Sequence, residues 1–224
     1  MDKHTIAKEI RDNFDSILSQ SLENCHVFGL NSVVLSKNSD GLLRRMFVTS
    51  PSHELWKNEV DDFYDEPVIS SVLSLGIHPH HCQINFQVLK GRFTNYLFNE
   101  KVTTNEEQSL GLFNKYRYES VISGKEGKFI LEKENIYLNC FKTDFLKEGD
   151  NLILYPRELH TVYVSYRDKA AWLVEESNED DSYEPICYSN ADLENFSFKG
   201  MYKPMSEKTL LEILNFLDKD EYER

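Results

Sequence analysis

The chain has 224 residues, enough for one sizeable domain with additions and for a core that needs no disulfide staples. Hydrophobic residues make up 40% and charged residues 28%, which excludes an intrinsically disordered chain. The 25 basic residues are outnumbered by 38 acidic ones, giving a net charge of −13. That charge argues against nucleic-acid partners and against docking on anionic membranes.

No stretch reaches the roughly 18 apolar residues of a membrane span. The first residues, Met1-Asp2-Lys3-His4, lack the apolar core of a secretion signal. The four cysteines, Cys25, Cys82, Cys140 and Cys187, are widely spaced with no CxxC pair, as expected of reduced thiols in a cytoplasmic protein.

Residues 3–23 read as one helix, because Ile6, Ile10, Phe14, Ile17 and Leu18 recur at three- and four-residue steps. From residue 28 onward, short Val, Ile, Phe and Tyr runs alternate with turn residues. Strands are expected at 32–35, 43–48, 68–75, 83–89, 93–98, 116–122, 136–141, 151–155, 161–165 and 170–175. This spacing predicts an antiparallel sandwich or barrel. Residues 99–109 and 177–184 read as exposed loops, and the acidic, aromatic-rich 54–66 as a surface helix or loop. Ser206 is placed to cap a final helix whose apolar face is Leu210, Leu214 and Leu217. The expected organisation is a helical extension over 1–27, a β domain over 28–176, and an acidic loop with a C-terminal helix over 177–224.

Three of the seven histidines fall between His78 and His81. In a strand, i and i+2 share a face, so His78 and His80 project together, as two ligands of one metal must. The same face runs on through the apolar Ile84, Phe86 and Val88. His81 points the other way, and Cys82 is a buried small hydrophobe, a soft ligand or a crosslinking thiol. A second stretch, Gly149-Asp150…Pro156…His160, opens a strand, breaks it and delivers a third imidazole. Neutral imidazole suits iron, zinc, copper or nickel. No nucleophile elbow and no phosphate-binding loop is present.

The two stretches together resemble the cupin superfamily, the first its HxH motif with a following strand and Gly91, the second its Gly-Asp…Pro…His motif. The resemblance covers roughly residues 67–176. It implies a mainly β, double-stranded β-helix barrel with a metal inside. The family's first motif usually carries a Glu where this chain has Ile84. The remaining three-histidine set, His78, His80 and His160, looks like the thiol dioxygenase branch, in which three histidines hold ferrous iron. By that resemblance the cofactor is Fe(II), with Zn, Ni or Mn as alternatives. The partners are then dioxygen and a small anionic or thiol-containing substrate, and a homodimer is compatible.

Three neutral ligands leave the metal its full charge, which favours an anionic co-ligand. Arg44 and Arg45 lie on one strand with opposite faces. Arg45 is the candidate to enter the barrel and grip an anion, because Leu43 and Phe47 share its face. Tyr96 and Tyr163 are candidate phenol donors. Two other functions fit the same residues: a non-catalytic cupin that binds a small ligand, and a metal-free isomerase or epimerase using histidine as an acid–base group.

Overall fold

The computed structural model describes residues 1–26, 29–49, 77–100, 112–119, 128–164, 169–178, 185–190 and 192–219. The predicted strand 68–75 and the acidic segment 54–66 lie outside the described residues, as do most of the predicted loops 99–109 and 177–184. The described residues are mainly β: two antiparallel sheets and three helices.

The predicted N-terminal helix is two helices, α1 (Lys3–Asp12) and α2 (Phe14–Gln20). Asn13 breaks the run: its backbone leaves helical geometry at φ −126°, and its amide donates back to Glu9 O at 3.1 Å. Short polar side chains compete with the helix for backbone groups in this way. The break lets Ile6, Ala7 and Ile10 of α1 and Ile17 of α2 pack into one cluster.

The strands are β1 (Leu22–Glu23), β2 (Leu30–Lys37), β3 (Leu43–Thr49), β4 (Gln83–Lys90), β5 (Arg92–Glu100) and β6 (Leu112–Glu119). They continue as β7 (Lys128–Lys147), β8 (Asn151–Leu154), β9 (Leu159–Tyr163), β10 (Ala171–Ser177), β11 (Ile186–Ser189) and β12 (Lys203–Pro204). One sheet runs β12-β1-β2-β3-β10-β4-β8, and the other β11-β6-β7-β5-β9. β7 is far longer than the expected 136–141 because it serves two partners. Its first half pairs with β6 and its second half with β5.

Side chains alternate across each strand, and directly opposed residues share a face. On β3, β10 and β4 the outward set includes Met46, Val48, Ala171, Leu173 and Leu89, covered by α1, α2 and α3 (Glu207–Asp218). The inward set includes Phe47, Trp172, Val174, Ile84, Phe86 and Val88, which meet Phe93 and Leu97 of β5. Ser206 caps α3 by accepting from Thr209 N at 3.2 Å, and Glu23 receives both the Ser206 N–H and its hydroxyl. Lys90 buries its stem and donates to the carbonyl of Phe216 at 2.7 Å, where the helix dipole welcomes a cation. No helix among the described residues is long and apolar enough to cross a membrane.

The turn between β4 and β5 depends on Gly91, which sits at φ +74° with a would-be Cβ only 1.9 Å from Lys169 O. Gly149 has φ +91° but nothing within 4 Å of its would-be Cβ. Gly149→Ala is therefore expected to cost only left-handed strain, about 1–2 kcal/mol. Gly91→Ala adds a backbone collision and should cost clearly more. Urea denaturation of the two variants checks this ordering, and equal midpoints would contradict it.

Candidate metal centre

His78 and His160 are joined by the backbone before their side chains meet. His78 N donates to His160 O at 3.0 Å, and His160 N returns the bond to His78 O at 3.1 Å. Ile77 makes the same reciprocal bridge to Tyr188 of β11. The expectation that His78 and His80 share a strand needs correction: regular pairing begins only at Gln83, and Pro79 and His80 lie in no strand. Pro79 cannot donate to a ladder, and it holds His78 extended. His80 is anchored instead through its carbonyl, which accepts from Arg157 N at 3.1 Å.

The three imidazoles nevertheless converge. Ring centroids are 5.0 Å apart for His78–His80, 5.3 Å for His78–His160 and 4.9 Å for His80–His160. Their candidate ligand atoms all lie within 4.8 Å of one another. The Nε2 atoms of His80 and His160 are 2.8 Å apart. Two metal–nitrogen bonds of about 2.0–2.1 Å at a right angle put their nitrogens about 2.9 Å apart. Two lone pairs this close need a shared electrophile, a proton or a metal ion.

Asn95 of β5, fully buried, sets the tautomer of His160. Its Oδ1 lies 2.8 Å from His160 Nδ1, so that nitrogen donates and Nε2 keeps its lone pair for a ligand role. Burial, reinforced by neighbouring imidazoles, pushes the pKa of both His80 and His160 well below the ordinary histidine value. Both rings are neutral at pH 7, the form a metal requires. The donor set therefore fits a divalent transition metal.

The inner face around the triad carries a carboxylate, Glu176, that the sequence did not disclose. Arg44 turns outward to Glu9, at 2.7 and 2.9 Å, and to Glu175 at 3.1 Å. Arg45 turns inward, over the Phe47 ring, and pairs with Glu176. Glu176 stands directly opposite Ile84 in the β10–β4 register, on the same face. A carboxylate thus occupies the strand next to the position where the resemblance expects one. It is held by Arg45 and by Leu43 N at 2.9 Å, not by the triad. Arg45 Nε is buried with no hydrogen-bond partner.

The structure does not bring the two tyrosines to the triad. In the β5–β9 ladder, Leu97 opposes His160, whereas Tyr96 opposes Thr161 and Thr94 opposes Tyr163. Tyr96 and Tyr163 thus take the opposite face from His160 and Asn95. Tyr163 lines a surface groove of about 510 Å3 with Arg92, Thr94 and Phe145. Cys82 is buried in the inner core with Cys25, and His81 is half-buried outside the triad. A fourth imidazole went unpredicted: His26 packs 6.4 Å from His78, ring centroid to ring centroid. It lies 52 positions upstream of His78, outside any motif, so no spacing signal marked it.

No protein-family model matches the chain, and no curated protein matches it in sequence.

Loss of the Asn95 contact should weaken metal binding without abolishing it. Asn95→Ala is expected to lower zinc or cobalt affinity about 10–100-fold, measured by competition with a chelator. The neutral, buried imidazoles also set a pH dependence for the metal-free protein. The unfolded chain takes up protons near pH 6.5 and the folded chain does not. Stability is therefore full above that value and falls as pH drops, by about 1.4 kcal/mol per pH unit per ring. The melting temperature should decline from pH 7 to pH 5, and less steeply in His160→Asn; parallel profiles would contradict neutral burial.

Proposed function

We propose that this chain is a metal-dependent cupin oxidoreductase, an iron dioxygenase acting on a small anionic or thiol-containing substrate. The observation that carries the reading is the convergence of His78, His80 and His160 between two antiparallel sheets, with two Nε2 atoms 2.8 Å apart. The ordered HPH and Gly-Asp…Pro…His stretches support the cupin assignment from the sequence side. Ferrous iron, when bound by three imidazoles, supplies dioxygen chemistry and leaves positions open for substrate.

The chain's own residues do the rest. Asn95 keeps the His160 lone pair aimed inward. Phe47, Phe86, Phe93 and Trp172 make the inner wall apolar, which excludes water and strengthens every charge interaction there. Arg45 offers its unpartnered Nε–H to the anionic end of a substrate, while Glu176 holds the rest of the guanidinium in place. The second reading, a small-ligand-binding protein without catalysis, is favoured by one observation: Arg45 already has a carboxylate partner.

Metal analysis of protein purified without added metal tests the proposal. Near-stoichiometric iron is expected, lost in His78→Ala, His80→Ala and His160→Ala. Oxygen uptake with a panel of small thiols and small carboxylates then separates the two readings. Iron with substrate-driven uptake supports the oxygenase, and iron without uptake leaves the binding protein. Absence of any metal in protein that folds overturns the oxygenase reading and leaves the binding protein.

A further inference from the structure

Among the described residues, the buried side-chain polar atoms without a hydrogen-bond partner are Arg45 Nε, Asn95 Nδ2 and Asp144 Oδ2. Buried polar groups are nearly always satisfied, so each such atom asks for an account. The last two are complementary, one a donor and the other an acceptor. They also belong to neighbours: Asn95 of β5 stands directly opposite Asp144 of β7 in the ladder. Directly opposed side chains share a face, with Cβ atoms about 4.5–5.5 Å apart. Across that gap an amide and a carboxylate meet directly or through one water.

The face they share is the one that carries the three-histidine centre. Asn95 Oδ1 lies 2.8 Å from His160 Nδ1, and Leu97, two residues along β5, stands between His160 and Lys142. Besides His160, the side chains around Asn95 on this face of its sheet are Phe93, Leu97, Val162, Leu146, Lys142 and Asp144. Of these only Asp144 can accept a hydrogen bond, since Lys142 is a pure donor. Lys142 Nζ sits 3.0 Å from Asp144 Oδ1, which leaves Oδ2 for Asn95. The row therefore runs Asp144, Asn95, His160, with the half-exposed Lys142 outside it.

The polarity of this row reaches the metal ligand. An amide can turn either end toward an imidazole: its oxygen toward an N–H, or its NH2 toward a lone pair. A carboxylate only accepts, so Asp144 takes the NH2 end and turns the oxygen to His160. Nδ1 of His160 then carries the hydrogen, and Nε2 keeps the lone pair that faces His80 Nε2, 2.8 Å away.

We propose that Asp144 is a positioning residue of the three-histidine centre. It holds Asn95 by its NH2 end and, through Asn95, fixes His160 as the Nδ1–H tautomer. The purpose of this lock rests on the metal reading above; the lock itself does not. A carboxylate at the far end of the row also makes Nε2 a stronger ligand.

The test uses the full chain. In the metal-free parent, two-bond 15N–1H spectra should show His160 as the Nδ1–H tautomer. Asp144→Asn is nearly isosteric but offers Asn95 either a donor or an acceptor, so a mixture of both tautomers is expected. Asp144→Ala removes the partner outright and should show the same loss of preference if Asp144→Asn folds poorly. Asp144→Glu keeps an acceptor-only group and should keep the parent tautomer. Cobalt(II) affinity, measured by competition with a chelator, should fall about ten-fold in Asp144→Asn, the low end for groups behind a ligating histidine. Lys142→Met separates this role from a surface ion pair: it breaks the same salt bridge and should leave tautomer and cobalt affinity unchanged.

A pure Nδ1–H tautomer in both Asp144→Asn and Asp144→Ala, or unchanged cobalt affinity in both, overturns the inference. So does an equal change in Lys142→Met. Failure of the parent to take up cobalt overturns the metal reading, and the metal-free spectra still decide the lock.

Discussion

The pairing of β3, β10 and β4 is the constraint on which the rest of the molecule depends. Because directly opposed residues share a face, one register decides every neighbour at once. With Trp172 beside Phe47 and Val88, the outward set becomes an apolar floor for α1, α2 and α3. The inward set becomes the wall of the core between the sheets. The same register puts Glu176 opposite Ile84 and Val174 beside Arg45. A one-residue slip would send Arg45 and Glu176 to the helices and bring Arg44 and Glu175 inside.

The polar groups on the inner face are expensive relative to the apolar residues around them. A buried ion pair is weak evidence for stability, since apolar residues of similar volume often serve as well. Arg45 and Glu176 sit in line with Phe47 and Val174, where such residues already pack. The neutral imidazoles of His80 and His160, held against each other, lower stability as the pH falls. Left-handed Asn24, His26 and Tyr202 add strain beside them. Charge, desolvated imidazole and backbone strain thus gather at one end of the inter-sheet space. Asn135 and Asn178 are also left-handed, but among the described residues it is at this centre that strain coincides with clustered imidazoles.

Much of this was legible in the residues. Alternation in 83–89 and 43–48 placed Ile84, Phe86, Val88 and Phe47 on inner faces and set Arg45 apart from Arg44. The mainly β character followed from short β-branched and aromatic runs, and the cap at Ser206 from its place before Leu210. Three errors have specific physical causes. Asn13 split a helix whose apolar stripe ran unbroken, because the stripe records burial and not backbone continuity. β7 extended through the charged stretch Glu132-Lys133-Glu134, because exposed strand residues carry no alternation signal. Tyr96 and Tyr163 took the far face, because the parity of β5 and β9 relative to His160 is set by pairing across strands.

By itself, the sequence determined the residue types that chemistry needs: His78, His80 and His160 in two stretches, and Ile84 where the resemblance expects Glu. It also determined the local preferences that place strands, turns and caps, because those depend on neighbours along the chain. Only the tertiary structure decided that His78 meets His160 through a backbone bridge and that Asn95 fixes the tautomer. The tertiary structure alone also showed that Glu176 faces Ile84 and that His26 joins the cluster. Those contacts link residues up to 131 positions apart, as Arg45 and Glu176 are. Strand register and sheet packing set them, and neither is written in the spacing of any single segment.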